Sequence, residues 1–179
     1  MQGDLFANFT GNEPGEAKNS NLATLETLNC DYQLIDTEEK RTKIIQKLLT
    51  SKILSLDTET TGTEPMDAEL VGMSFSIAEN EAFYVPVPAD QEEALKIVNE
   101  FRPVFENENS LKVGQNIKYD MIVLQNYGVQ VKGPLFDTMI AHYVLQPELR
   151  HGMDYLAEIY LRYQTCLLYT SDAADDLIG

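Results

Sequence analysis

Residues 53–59 read Ile-Leu-Ser-Leu-Asp-Thr-Glu, an apolar run that turns acidic before it ends. A short apolar run rich in Ile and Leu reads as a buried strand. Residues 70–77 and 82–87 form two more such runs, divided by short polar turns. Strands this near in sequence pair as antiparallel neighbours. Upstream, residues 32–35 make a short strand. Asp36 and Glu39 then form a capping-box pair ahead of Ile44, Ile45, Leu48 and Leu49 at helical spacing. Asp90 and Glu93 repeat that signal before a second helix, with an apolar stripe of Leu95, Val98 and Phe101 and an end marked by Pro103. Residues 111–114 predict a fourth core strand, and residues 117–127 a helix closed by Gly128. Two further helices are expected over 136–145 and 153–163, separated by the Gln146-Pro147 break. No internal repeat is visible. Three antiparallel strands followed by alternating strand and helix indicate an α/β fold with a mixed sheet.

The chain has 179 residues, 44% of them hydrophobic, which suits one domain with tails. Residues 1–30 are rich in Asn, Gly, Glu, Thr and Ala and read as a linker or flexible lead-in. The domain itself is expected over 31–165. The apolar runs are too short to span a membrane, and the start Met1-Gln2-Gly3-Asp4 has no basic leader region. Cys30 and Cys166 lack metal-ligand or redox spacing, which fits a reduced cytoplasm. The net charge of −16 argues against a module that grips duplex phosphates with Lys and Arg. It is compatible with an enzyme that holds a strand end through metal ions, because metal sites require carboxylates.

Asp57 and Glu59 are the first candidates. Side chains alternate across a strand, so the two acids point to one face. Adjacent buried carboxylates repel and are costly to desolvate, and a divalent cation between them relieves both costs. The plainer alternative is a strand that runs into a solvated acidic turn. Asn116 and Asp120 lie four apart and share a face if residues 117–127 are helical. Gly114 before them lets the chain turn sharply from strand to helix. Here the alternative is a helix cap at Asn116 and a surface acid at Asp120. Taken together, three carboxylates from separate elements suit two hard cations. Two such ions about 4 Å apart favour displacement at phosphorus, one activating water and the other stabilising the leaving oxygen.

The segments Asp57-Thr58-Glu59 and Asn116-Ile117-Lys118-Tyr119-Asp120 resemble the first two motifs of the DEDD exonucleases. The wider text, including Gly114-Gln115, Phe136-Asp137-Thr138-Met139 and Arg150-His151-Gly152-Met153-Asp154-Tyr155-Leu156-Ala157-Glu158, resembles the 3′→5′ proofreading domain of bacterial family A DNA polymerases over about residues 32–165. The resemblance implies a ribonuclease-H-like mixed sheet flanked by helices and a single-stranded DNA 3′ end as substrate. It also implies two divalent ions (Mg²⁺ or Mn²⁺, with Zn²⁺ also suited) and a covalently attached polymerase domain. Asp57 would bridge both metals, Glu59 would serve the first and Asp120 the second. Thr60 and Asn116 would contact the terminal nucleotide, and Arg150 a backbone phosphate, its other reading being a surface charge. Thr63 stands where the family usually has an apolar residue against the terminal base, so substrate stacking is expected to be weaker.

The family's third motif, a Tyr followed four positions later by Asp, is not found after Arg150. Four positions past Tyr169 comes Ala173, and Asp172 is only three away. Residues 166–179 read as a non-native tail resembling a translated sequencing adapter, which leaves the C-terminal part of the domain incomplete. Weak or no turnover and exposed apolar surface are therefore expected of these 179 residues. Two alternatives to a DNA exonuclease are an RNA-trimming enzyme similar to ribonuclease D and a non-catalytic structural domain of a family A polymerase. Among the remaining residues, His142 and His151 read as core or edge histidines. Tyr155, Tyr160 and Tyr163 read as packing aromatics, and Lys40, Arg41 and Lys43 as the solvated face of the first helix.

Overall fold

The computed structural model describes residues 22–165. Six strands form one sheet: β1 (Asp31–Leu34), β2 (Ile53–Thr60), β3 (Leu70–Ala78), β4 (Glu81–Pro86), β5 (Leu111–Gly114) and β6 (Leu135–Asp137), in the order β1-β4-β3-β2-β5-β6. β2, β3 and β4 pair antiparallel as their spacing predicts. β5 runs parallel to β2, and β6 parallel to β5. The expected mixed sheet is therefore present, and β2, β5 and β6 end on the same side of it. Glu59, Gly114 and Asp137 all lie at that edge, where open α/β sheets bind ligands. β1 adds a parallel edge strand against β4. Ahead of β1, Ala23 exchanges backbone hydrogen bonds with Arg162 and Gln164 at 2.8 and 2.9 Å.

The helices depart from expectation at their ends. The first, α1 (Glu38–Thr50), is capped by Thr37, which accepts from the Lys40 N–H, and not by Asp36. Asp36 lies one residue too early and binds the Lys40 ammonium at 2.7 Å instead. Asp90 does cap α2 (Gln91–Glu100), accepting from the Glu93 N–H at 3.0 Å. Pro103 falls in the first turn of a short α3 (Arg102–Phe105), where its missing N–H costs nothing. Gly128 ends α4 (Ile117–Asn126) with φ +74°, as expected. The helix expected from residue 136 begins later, as α5 (Thr138–Leu145), because residues 135–137 are drawn into the sheet as β6. The helix expected over 153–163 is a single turn, α6 (Met153–Leu156), that widens into a π-helical turn over Ala157–Leu161.

The core packs Leu54 and Leu56 of β2 with Phe75, Phe83, Val98, Phe101, Phe105, Val123 and Leu124. Phe75 stacks on Phe101 with ring centroids 5.3 Å apart and meets Phe105 at 5.7 Å. Two basic residues belong to this interior. Arg41 is buried and grips Glu100 through Nε and Nη2 at 2.6 and 3.2 Å, so it is not part of a solvated face. Glu100 is the last residue of α2, and a guanidinium buried there requires a carboxylate. Lys112 on β5 is fully buried and donates to the Asn107 and Lys132 carbonyls; burial lowers its pKa. The exposed apolar surface is concentrated on α5 and the turns after it, where Ile140, Tyr143, Val144, Leu145, Met153 and Leu161 meet solvent.

Candidate active site

β2 alternates as a half-buried strand should. Leu54, Leu56 and Thr58 point inward, Asp57 is partly covered and Glu59 is exposed. Asp57 and Glu59 thus share a face, opposite Ser74 and Gly72 of β3. The register slips between Glu59 and Thr60. Such a bulge twists the strand and re-aims its last side chains, and bulges collect next to active sites. The Tyr84 ring lies over Gly72, and both burial and the charge of Glu59 raise the pKa of its hydroxyl.

Asp120 reaches the same place from α4. The buried stripe Ile117, Asp120, Val123 and Leu124 packs this helix on β2, and that packing carries a carboxylate into the interior. Asp120 is 2% exposed. Its Oδ1 accepts the Thr58 backbone N–H at 2.8 Å and the Thr58 hydroxyl at 2.6 Å. The second motif is therefore tied to the residue between Asp57 and Glu59. Burial pushes the Asp120 carboxyl up to about 6; the donors from Thr58 work against that rise, and the nearby charge of Asp137 adds to it. The surface-acid alternative does not hold.

Asn116 occupies the N-cap position of α4 but its side chain makes no capping bond. It adopts φ +53°, so the sharp turn from strand to helix is made at Asn116 and not at Gly114. Gly114 serves a close approach instead, since a Cβ there would lie 3.1 Å from the Ile117 side chain and 3.3 Å from the Leu56 carbonyl. Asp137 supplies the missing cap, accepting the N–H groups of Asn116 and Ile117. Thr60 donates to the Gly62 carbonyl at 2.8 Å, and the Tyr119 hydroxyl joins both, 2.5 Å from each oxygen. Arg150 is exposed, sits over the Tyr155 ring and pairs with Asp154 at 3.3 Å. It is linked to the α4 end through Gln115, whose amide donates to the His151 carbonyl at 2.7 Å. His142 and His151 face each other with Nδ1 atoms 2.7 Å apart among tyrosine rings, in keeping with a packing role. Thr58, Tyr119 and Asp137 escaped the sequence reading as site residues. All three lie inside the quoted motifs, so their position was visible but their bonding was not.

Among the described residues, no group of three or more His, Cys, Asp or Glu side chains stands close enough to hold a metal ion. The donor chemistry nonetheless fits a hard divalent cation. Asp57 and Glu59 offer carboxylate oxygens on one strand face, and Asp120 is held against the intervening residue. The third-motif expectation concerns residues 166–179, which lie outside the described residues.

Solved structures share this fold. The catalytic core of RRP6 from Trypanosoma brucei matches with a TM-score of 0.65 and 22% identity, covering 88% of this chain and 42% of that one. NrnC of Brucella melitensis with bound Mg²⁺ matches with a TM-score of 0.60 and 19% identity, covering 85% and 70%. The fold is the expected ribonuclease-H-like one. A family model described as 3′-5′ exonuclease matches residues 32–175, so the chain belongs to the 3′-5′ exonuclease family. Its relatives include DNA polymerase I of Borreliella burgdorferi, 35% identical over 155 residues, which cover 85% of this chain and 17% of that protein. DNA polymerase I of Pseudomonas aeruginosa is 34% identical over 162 residues, covering 86% and 18%. The chain spans less than a fifth of the length of these relatives.

Proposed function

We propose that this domain hydrolyses DNA from a single-stranded 3′ end and serves as the proofreading part of a longer polymerase chain. The observation that carries the reading is the pair of hydrogen bonds from Thr58 to Asp120, which joins the second motif to the first between Asp57 and Glu59. Asp57, Glu59 and Asp120 would hold two divalent ions, Mg²⁺ or Mn²⁺, with Zn²⁺ also suited to the oxygen set. When bound, such ions supply Lewis acidity toward the scissile phosphodiester. The chain's own residues position the strand. Thr60 at the end of β2 and Asn116 at the start of α4 contact the terminal nucleotide, and the forked guanidinium of Arg150 takes a backbone phosphate. Tyr119 keeps the turn after β2 in place through Thr60 and Gly62. DNA is favoured over RNA because the chain is 34–35% identical to DNA polymerase I proteins over 85–86% of its length. None of the helices among the described residues is long and apolar enough to cross a membrane.

The test is degradation of a 5′-labelled single-stranded DNA with Mg²⁺ or Mn²⁺, with a chelator control and an Asp57→Ala control. The 179 residues alone are expected to turn over weakly or not at all. Appending a family-type Tyr-x-x-x-Asp segment after residue 165 is expected to yield a stepwise 3′ ladder that both controls abolish. No ladder even then would overturn the reading in favour of a structural role.

A further inference from the structure

The Asp137 carboxylate at the end of β6 accepts four backbone N–H groups. Two belong to the start of α4, from Asn116 at 3.2 Å and Ile117 at 2.9 Å, and two to the start of α5, from Met139 at 2.9 Å and Ile140 at 3.1 Å. Oδ1 takes Asn116, Met139 and Ile140; Oδ2 takes Ile117. The bonds within α5 are an ordinary local cap that Ser, Thr or Asn makes equally well. The bonds to α4 are different, because they cross from one strand end to another over 20 and 21 residues.

Asn116 is left-handed, with φ +53°. For a residue with a Cβ that conformation costs about 1–2 kcal/mol. Followed by the helical Ile117, it turns two successive N–H groups inward and makes the kind of concavity that binds anions. The Asp137 carboxylate fills it. The contact lies at the first residues of α4, and one turn further on the helix presents Asp120 to Thr58.

We propose that Asp137 is a positioning residue for the exonuclease reaction: by clasping the left-handed turn at Asn116 it fixes the direction in which α4 offers Asp120 to the Asp57–Glu59 strand. This rests on the reading of those three carboxylates as cation ligands. Asp137 binds backbone N–H groups at the start of α4 and acts on Asp120 through them. Partners that orient a ligand in this way typically govern metal affinity by about 10- to 100-fold.

Two substitutions separate the clasp from the local cap and from charge. Asp137→Ser keeps a hydroxyl for the α5 cap but is too short to reach α4. Asp137→Asn removes the same negative charge yet keeps an oxygen where Oδ1 stands, retaining three of the four bonds. Mn²⁺ affinity is read by calorimetry on the whole chain, with Asp57→Ala alongside, and amide hydrogen exchange is followed at Asn116, Ile117, Met139 and Ile140. With Asp137→Ser, the Asn116 and Ile117 amides are expected to lose protection while Met139 and Ile140 keep theirs, and Mn²⁺ affinity to fall about tenfold or more. With Asp137→Asn the fall is expected to stay within about threefold, which rules out charge as the cause. Equal Mn²⁺ affinity in the two variants, or unchanged affinity in Asp137→Ser despite the lost protection, would reduce Asp137 to a structural cap and overturn the proposal. Mn²⁺ binding that survives Asp57→Ala undiminished would instead refute the ligand reading itself, and the proposal with it.

Discussion

Replacing Asp120 by Asn should stabilise the domain at neutral pH and leave it unchanged in acid. The wild-type carboxyl is 2% exposed, and burial raises its pKa from the ordinary 3.8 to about 6. The folded protein therefore binds this proton more tightly than the unfolded chain does. The stability that comes from the protonated group is fully present below about pH 4, declines as pH rises, and is lost above about pH 6. A shift of about two units corresponds to about 3 kcal/mol. Asn is never ionised, and its oxygen can accept the Thr58 N–H and hydroxyl where Oδ1 accepts them now. The variant should match wild type near pH 4 and exceed it by up to about 3 kcal/mol near pH 8. The assay is urea unfolding of both chains across that range in the presence of a chelator. Other carboxylates, such as Glu106 with its pKa lowered by Lys132, titrate in both chains and cancel in the difference. A difference that stays flat with pH, or a wild type that gains on the variant as pH rises, would refute the reasoning. Added Mn²⁺ should stabilise wild type at the alkaline end and leave the variant nearly unmoved, because a bound cation favours the ionised carboxylate.

Two further predictions concern the scaffold. Phe75→Ala removes a ring stacked on Phe101 and touching Phe105, and should cost about 3–5 kcal/mol in urea unfolding; a loss below about 1 kcal/mol would mean that the site collapses without a cavity. Gly72→Ala puts a Cβ into the Tyr84 ring and hydroxyl beside Glu59, so it should destabilise by about 1–3 kcal/mol, and Tyr84→Ala in the same chain should recover part of the loss. Absence of that recovery would place the strain elsewhere.

The organisation of the fold was legible because its signals are local. The alternating pattern of β2, the capping of α2 by Asp90 and the closure of α4 by Gly128 are each set by neighbours a few residues away. The placement of Asp57 and Glu59 on one face follows from the period of a strand and needs no partner. Errors arose where a distant element competed with local preference. Residues 135–137 carry no strand signal of their own, and only pairing with β5 extends them. Arg41 sits among Lys40 and Lys43 on a helix that looks uniformly solvated, until α2 brings Glu100 over it.

The sequence by itself determined the class of chemistry. It wrote two acids two residues apart at a strand end, a third acid one turn into a helix, and motif text that identifies a 3′-5′ exonuclease. Only the tertiary structure decided what those acids do to one another. Thr58 and Asp120 are 62 residues apart, and Asp137 lies 21 residues beyond the Asn116 turn it holds. Hydrogen bonds across such separations depend on the sheet order that brings β2, β5 and β6 to one edge. That order is the outcome of burying all the apolar faces together, and no window of local sequence contains it.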